Sequence, residues 1–567
     1  MMASRSAMRA VAMAMLALSL GRVIHAQQLR GVVRDSTSGL PIPGVVVSLL
    51  DAANTAAART MTDERGQFQA TVLGNAIRSL RLVRLGFRPV TIAVPSSGNG
   101  DAQLQIVMVS IPLSLQPVTV SASANCPRRN DRAMALALLE QARAGLLATV
   151  VARAQRPARM KLLRAHRRLA GTSDRIVHQS VTIDSGGFRG PFGAARKADD
   201  FVRDGFAVDS QGVLVYYGPD AEVLLDDRFS AGYCFHVMNR SPTRPNQVGL
   251  GFQPARRKEG RTDTVGALWI DTVARALVDI EYRYVGGDSR AEPFRPGGQT
   301  FFRTMPNGSV VIDRWWIRMA AVDSSGRPAR ATSPWTDSRT VEPAMRGEQV
   351  WSELARAEWR DTTWRSDLGR LRVKLSHPDG TAAAGTVVRL TDTDYKSVAD
   401  SNGVVTIEDL VPGPYAIAVV DTALATLGIT VGTPVRFTST RDTTVTADLV
   451  VKTAIDYVRD RCVAGGTSNA RPPELIRGDA WLIGRVTGPD GEPIAAKWSL
   501  SKRGPGGETR VMRDAEVGSD GIIQYCQLSR GETVVISFRA KGMIDASTTV
   551  TLTRQPTVIS VQMQPRQ

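Results

Sequence analysis

Leu29-Arg30-Gly31-Val32-Val33-Arg34-Asp35, then Pro41-Ile42-Pro43-Gly44-Val45-Val46-Val47-Ser48-Leu49, then Thr62-Asp63-Glu64-Arg65-Gly66-Gln67-Phe68: this stretch decides the fold. Short β-branched runs alternate with Pro-Gly and Asp-x-x-Gly turns, whose glycines take the positive φ that reverses a strand. The pattern returns as Leu371-Arg372-Val373, Pro378-Asp379-Gly380, Gly385-Thr386-Val387-Val388-Arg389-Leu390 and Asp400-Ser401-Asn402-Gly403-Val404, followed by Pro412-Gly413-Pro414-Tyr415. It returns again as Leu482-Ile483-Gly484-Arg485-Val486, Pro489-Asp490-Gly491-Glu492-Pro493-Ile494 and Ser519-Asp520-Gly521-Ile522. Each unit, about 85 residues long, suffices to close a small two-sheet sandwich. The copies stand far apart, which makes the chain modular and not a solenoid.

The first stretch resembles the carboxypeptidase regulatory-like domain, a transthyretin-like seven-stranded sandwich. Gly31, Val33 and Asp35, then Pro41, Gly44 and Val47, then Thr62, Asp63, Gly66 and Phe68 fall on that family's pattern. The second stretch is similar, its Pro412-Gly413-Pro414-Tyr415 matching the family's P-G-x-Y. The third has Ser529-Arg530-Gly531-Glu532 in that place. The resemblance implies a fold and leaves function open.

The 567 residues exceed one ordinary core and suit three or four domains, and a hydrophobic share of 43% excludes wholesale disorder. Residues 1–26 read as a secretory signal peptide. Arg5 and Arg9 precede the apolar run 11–20, and Ala26 supplies a small residue at the cut. That run is shorter than the roughly 20 residues a membrane span needs. Losing Arg5, Arg9 and Arg22 takes the net charge from +17 to +14. No later stretch reads as a transmembrane segment, so the mature chain is expected to be soluble. In an oxidising compartment Cys126, Cys234, Cys462 and Cys526 form an even set. Three connectivities exist; Cys126–Cys234 with Cys462–Cys526 closes the shortest loops. Zinc is the rival reading, but the sequence has no C-x-x-C, and no metal or other cofactor is expected.

Between the first two copies, Asn130 or Asp131 caps an expected helix with apolar Met134, Leu138, Leu139, Ala142, Leu146 and Val150 at three- and four-residue steps. Arg132, Arg143 and Arg153 dot its other side, and more arginines follow to Arg168. This helix either packs on a sheet, the preferred reading, or lies on a membrane surface or anionic polymer. Residues 171–365 read as antiparallel β, with segments at 175–184, 212–217, 222–225, 248–252, 266–271, 277–285, 300–305 and 309–321. Gly266-Ala267-Leu268-Trp269-Ile270-Asp271 and Val278-Asp279-Ile280-Glu281-Tyr282 resemble two strands of the half-barrel in periplasmic lipoprotein carriers. That likeness implies a sheet able to hold something apolar.

The expected architecture is mainly β: three transthyretin-like sandwiches flanking a central helix-plus-antiparallel-sheet domain. Its expected parts are a signal peptide over 1–26, a regulatory-like domain over 27–112, a linker over 113–127 and the central domain over 128–365. A second sandwich over 366–450, a linker with a short helix over 451–478 and a third sandwich over 479–567 complete it.

Catalytic signatures are scarce. The mature chain holds His166, His178, His236 and His377 without H-E-x-x-H, which excludes a zinc carboxypeptidase. Neither a G-x-S-x-G elbow nor a phosphate-cradling loop occurs. Ser499-Leu500-Ser501-Lys502 satisfies S-x-x-K, but it lies in an expected strand. Tyr216-Tyr217 and Trp315-Trp316 are aromatic pairs in expected strands, where successive side chains take opposite faces. An exposed member of either pair is the candidate ligand-binding residue. Nucleic acid is not an expected partner, since the arginines are interspersed with acidic residues. Leu115-Gln116-Pro117-Val118-Thr119-Val120-Ser121-Ala122 is similar to the energy-coupling segment of TonB-dependent outer-membrane receptors, but Gln564-Pro565-Arg566-Gln567 lacks the terminal aromatic of their barrels. The sequence thus points to an exported, non-catalytic envelope protein, periplasmic or at the outer membrane or cell surface. Carbohydrate or peptidoglycan binding is its first expected role. Partnership with a TonB-dependent receptor (or descent from one that lost its barrel) and a hydrolase hidden in the central domain are the alternatives.

Overall fold

The computed structural model describes residues 26–73, 77–94, 102–111, 129–155, 157–186, 196–210, 213–238, 241–305, 308–322, 345–360, 362–420, 427, 431–452, 454–458, 480–503, 508–518, 520–552 and 556–566. The expectations for 1–25, Cys126, Cys462 and the segment 115–122 lie outside them. The chain forms two compact units, 1–178 with 183–366 and 179–182 with 367–567.

The first unit begins with seven strands: β1 (Ala26–Asp35), β2 (Val46–Leu50), β3 (Ala56–Met61), β4 (Gln67–Leu73), β5 (Ser79–Val83), β6 (Val90–Ala93) and β7 (Ala102–Met108). They make a three-stranded sheet β4-β1-β7, with β1 and β7 parallel, and a four-stranded sheet β3-β2-β5-β6. Leu29, Val33, Val47, Leu49, Phe68, Leu80, Leu82 and Met108 fill the space between the sheets. Every residue of β2 is buried. Val47 and Leu49 face the sandwich interior, whereas Val46 on the other face joins the core under the long helix. A strand buried on both faces wants a near-continuous apolar run, and 45–50 reads so apart from Ser48.

That helix spans Arg129–Gln155. Ala135, Leu138, Leu139, Ala142, Leu146, Val151 and Ala152 are buried in one core with residues of the large sheet and of β2, β3 and Leu85. Each fully buried leucine contributes about 1.5–3 kcal/mol. The helix is long and apolar enough to cross a membrane by composition, which corrects the sequence reading, but 61% of that window is buried inside the protein. Two of its cations are paired, Arg143 with Asp227 at 2.7 Å and Arg153 with Glu222. Gly145 is the point of closest approach, since a Cβ there would meet Leu277 Cγ at 2.8 Å and Leu85 Cδ1 at 3.0 Å.

The body of this unit is a ten-stranded antiparallel sheet. Its strands are β8 (Arg159–Leu169), β9 (Ile176–Gly186), then, after a hairpin of β10 (Ala207–Ser210) and β11 (Val213–Tyr216), β12 (Tyr233–Val237), β13 (Gln247–Pro254), β14 (Asp263–Asp271), β15 (Ala276–Val285), β16 (Gly297–Thr304), β17 (Val310–Val322), β18 (Met345–Glu358) and β19 (Thr363–Arg365). Their order is β12-β13-β14-β15-β16-β17-β18-β8-β9, with β19 also on β18. The expected strand at 222–225 is instead the helix Ala221–Leu225, because the Asp220 carboxylate accepts from Val223 N and caps it. Strands β8, β10, β12, β18 and β19 are not among the segments named from the sequence, and β8 lies before the stretch 171–365 read as antiparallel β.

In the second unit two more sandwiches repeat the first plan. One comprises β20 (Gly369–Ser376), β21 (Val387–Leu390), β22 (Lys396–Val398), β23 (Val404–Leu410), β24 (Gly413–Val420), β25 (Val431–Ser439) and β26 (Thr444–Val450). The other comprises β27 (Ala480–Thr487), β28 (Lys497–Arg503), β29 (Thr509–Glu516), β30 (Ile522–Leu528), β31 (Thr533–Arg539), β32 (Ala546–Thr551) and β33 (Thr557–Gln562). Each pairs its first strand in parallel with its last, opposite a four-stranded sheet. One turn recurs in all three sandwiches. In the first two, Asp63 and Asp400 open the turn and accept the N–H of the residue four further on; in the third, Gly518 opens it and Asp520 accepts from Ile522 N. The glycine that follows, Gly66, Gly403 or Gly521, has φ between +68° and +74°. Its carbonyl receives the first strand's N–H from Val33, Leu375 or Val486 at 2.7–2.8 Å. Residues 454–458 form a helical turn whose Ala454 and Val458 pack on Ile483.

Candidate functional site

The large sheet has two unlike faces, fixed by strand alternation. One face is filled by the chain itself: Phe252, Leu268, Ile280, Phe302 and Ile312 meet the long helix and Phe206 and Phe229. The volume that an apolar cargo would occupy in a lipoprotein-carrier-like sheet is thus taken up by the protein's own side chains.

The opposite, outer face carries aromatic, amide and charged residues in register. One row runs Trp269, Asp279, Phe301, Arg314, Glu353; the next runs Ala267, Glu281, Gln299, Trp316, Trp351, Ala165; a third runs Arg283, Gly297, Arg318, Gln349, Arg167. Two indoles are locked in the same way. Trp269 donates its N–H to Glu281 at 2.7 Å and lies under Arg244 at 4.4 Å. Trp351 donates to Glu353 at 3.1 Å and lies under Arg167 at 4.4 Å, with Arg314 at 5.6 Å. Arg244 also pairs with Asp279 at 2.8 Å, and Arg167 donates to Gln349 at 3.0 Å. Arg167, Arg318, Asp279 and Glu353 are all buried, at 5% exposure or less. Burial of such charges is tolerable because each is paired or hydrogen-bonded.

Trp316, set between Gln299 and Trp351, differs. It is half-buried and makes no hydrogen bond or ring contact among the described residues. Its chain neighbour Trp315 packs on the helix-side core. The tyrosine pair does not divide between faces. Tyr216 packs edge-on against Tyr284 at 5.0 Å, while Tyr217 accepts the Tyr284 hydroxyl on its carbonyl and stands 6.0 Å from Phe201, and both rest on the same core. The reason is local: β11 ends at Tyr216, so strict alternation stops before Tyr217. Burial raises the Tyr216 phenol above its ordinary pKa. The four aromatic candidates are therefore not brought onto one surface.

Residues 28–109 match the carboxypeptidase regulatory-like domain family. The chain contains a carboxypeptidase regulatory-like domain. The sequence matches no curated protein. Among solved structures the chain is similar to the Bacillus anthracis TIE protein, at 10% identity over 62% of this chain and 63% of that one, with a TM-score of 0.15. It is also similar to a streptococcal ancillary pilin (12% identity, 48% and 81% covered, TM-score 0.16) and to the major pilin subunit of Bacillus cereus (8%, 75% and 99%, 0.15). Identities and TM-scores this low transfer nothing about those proteins' roles to this chain.

Outside the regulatory-like domain, the histidines sit apart. His166 Nε2 lies 3.2 Å from Glu348, which Arg346 also contacts at 2.6 Å. The Glu348 hydrogen bond raises the imidazole's pKa, and the same bond lowers that of the carboxyl. His236, on β12 against Gly251, is held below its ordinary pKa by burial. Among the described residues no group of three His, Cys, Asp or Glu side chains is placed to hold a metal ion. Ser499 and Lys502 lie in β28, where Lys502 pairs with Glu532. Cys234 is buried on β12, and neither it nor Cys526 is a free thiol. The guanidinium-over-indole arrangement escaped the sequence reading because each arginine and its indole lie far apart in the chain, Arg244 with Trp269 and Arg167 with Trp351.

Proposed function

We propose that this is an exported, non-catalytic binding or scaffold protein of the bacterial envelope, and that it holds a glycan on the outer face of the large sheet at Trp316. The supporting observation is the unpartnered indole of Trp316 among neighbours whose own indoles are locked by guanidinium and carboxylate groups. A sugar ring stacks its apolar C–H face on an indole, and flanking amides supply directional hydrogen bonds. Gln299 stands beside Trp316 in the same row. Arg167, Arg244, Arg314 and Arg318 of this face already lie on rings or bond oxygens, which leaves Arg283 as its exposed cation, so the reading does not include nucleic acid. Export also carries the proposal of Cys126–Cys234 and Cys462–Cys526 disulfides.

The test is retention of the mature protein on peptidoglycan, lipopolysaccharide and outer-membrane protein fractions at low and high salt. Glycan retention that survives high salt and is lost in Trp316→Ala supports the reading. Retention that disappears with salt assigns it to charge and refutes the stacking site. Capture of an outer-membrane protein in its place moves the assignment to a receptor partner.

A further inference from the structure

The long helix lies over the four-stranded sheet of the regulatory-like domain, and a cavity of about 280 Å³ remains between them. Strand register builds its floor. Arg59, Ser48 and Arg81 occupy one cross-strand row on β3, β2 and β5. Neighbouring strands are about 4.8 Å apart, so the two arginine backbones stand about 10 Å apart with the Ser48 hydroxyl between them. Arg84 and, from the helix, Arg143 also line the space. Among its lining residues the carboxylate is Glu140, which Arg143 contacts at 3.5 Å.

These cations are not equivalent. Arg143 is bound to Asp227 and Ser230, and Arg84 donates to the carbonyls of Pro43 and Arg275 at 3.1 Å. Both have structural employment. Arg59 and Arg81 have no ion pair and no side-chain hydrogen bond among the described residues. Unpartnered arginines are ordinary on an open surface. Arg59 and Arg81 are exposed too, but both line the cavity, one on each side of Ser48, so their donors flank one hydroxyl.

We propose that this cavity binds a phosphate monoester, with the phosphate between Arg59 and Arg81 above Ser48. A guanidinium presents a planar fork that matches two oxygens of an oxyanion. One fork satisfies a carboxylate, whereas a pair on opposite sides of one point suits the three oxygens and double charge of a phosphate ester. The volume lies at the small end of ligand sites and admits a phosphorylated monosaccharide or small alcohol, not a polymer. Asn54, another lining residue, stands where the alcohol portion would lie. The site is separate from the Trp316 face and does not depend on it.

Calorimetric titration of the mature protein with glucose 1-phosphate tests this, with glucose as the neutral control. The expected result is saturable binding of the ester and none of glucose. Arg59→Gln and Arg81→Gln should each weaken it about tenfold or more, with the double variant showing no binding and an unchanged melting curve. Arg65→Gln with Arg88→Gln, exposed cations outside the cavity, should leave the affinity unchanged. Co-sedimentation with vesicles containing phosphatidic acid separates a lipid phosphate from a soluble one; dependence on Arg59 and Arg81 supports the site in either case. Absence of saturable binding to both probes, or binding retained by the double variant, overturns it.

Discussion

Replacing Gly403 by alanine tests the turn that all three sandwiches share. At φ +74° an L side chain costs about 1–2 kcal/mol, offset by about 0.4–1 kcal/mol from the stiffer unfolded chain. Gly385, in the same sandwich at φ +75° with nothing within 4 Å of its absent Cβ, carries that strain and nothing else. Gly385→Ala should therefore cost about 1 kcal/mol or less. At Gly403 the new Cβ falls 2.3 Å from the Leu375 carbonyl and 3.1 Å from Ala383 N. Relief requires a shift of about 1 Å, which breaks the 2.7 Å bond from Leu375 N to Gly403 O. A lost bond with a buried group left unpaired adds about 1–3 kcal/mol, so Gly403→Ala should cost about 2–4 kcal/mol in all. Hydrogen exchange read by mass spectrometry on the β20 peptide measures the loss of protection in this sandwich, with the β27 peptide as internal reference. Equal loss in the two variants would refute the reasoning, because it would leave the close approach to Leu375 without energetic weight.

Other outcomes follow from the electrostatics and the cysteines. His166 has a raised pKa, so its contribution to stability is full below its unfolded value and vanishes as pH rises through the folded one; for Glu348, lowered, the contribution is full above the unfolded value and vanishes as pH falls through the folded one. The pair should thus be most effective between the two titrations, and Glu348→Gln should lower the His166 pKa in an NMR titration; an unchanged value contradicts the contact. Peptide mapping without reductant should recover Cys126 with Cys234 and Cys462 with Cys526, and any crossed pair rejects that assignment. Arg167→Lys keeps the charge but loses the flat stack on Trp351 and the bond to Gln349, at a cost of about 1–2 kcal/mol, whereas exposed Arg59→Lys should leave urea unfolding unmoved.

The sandwiches were legible because their information is local. An Asp-x-x-Gly turn names its own backbone geometry, and β2, buried on both faces, shows as an apolar run broken only by Ser48. Even the third copy, without the P-G-x-Y ending, closes with the same strand order. The long helix was legible from its period. Strand β8 was not, because Arg-Met-Lys-Leu-Leu-Arg-Ala-His-Arg-Arg-Leu reads as a basic continuation of that helix. Its Arg167 is 3% exposed, a placement made affordable by an indole and an amide nearly 200 residues later. Tertiary partners of that kind leave no local signal. The candidate site shows the same boundary. Period-two alternation correctly divides Trp315 from Trp316, but it misleads at Tyr217, just past the end of β11.

The excess of arginine over lysine acquires a structural reason on the outer face. A residue buried there must cover a ring with a flat apolar surface and still donate at its edge to an oxygen. Guanidinium does both at once; an ammonium, compact and strongly hydrated, does not. Arg244 and Arg167 each lie over an indole while bonding a carboxylate or an amide, and Arg314 lies 4.0 Å over Phe301. With 62 arginines and nine lysines, the chain's net charge therefore overstates the cationic surface open to a partner. Where guanidinium groups are already employed, added salt should do little. Where two of them remain without partners over Ser48, an anion has something to bind.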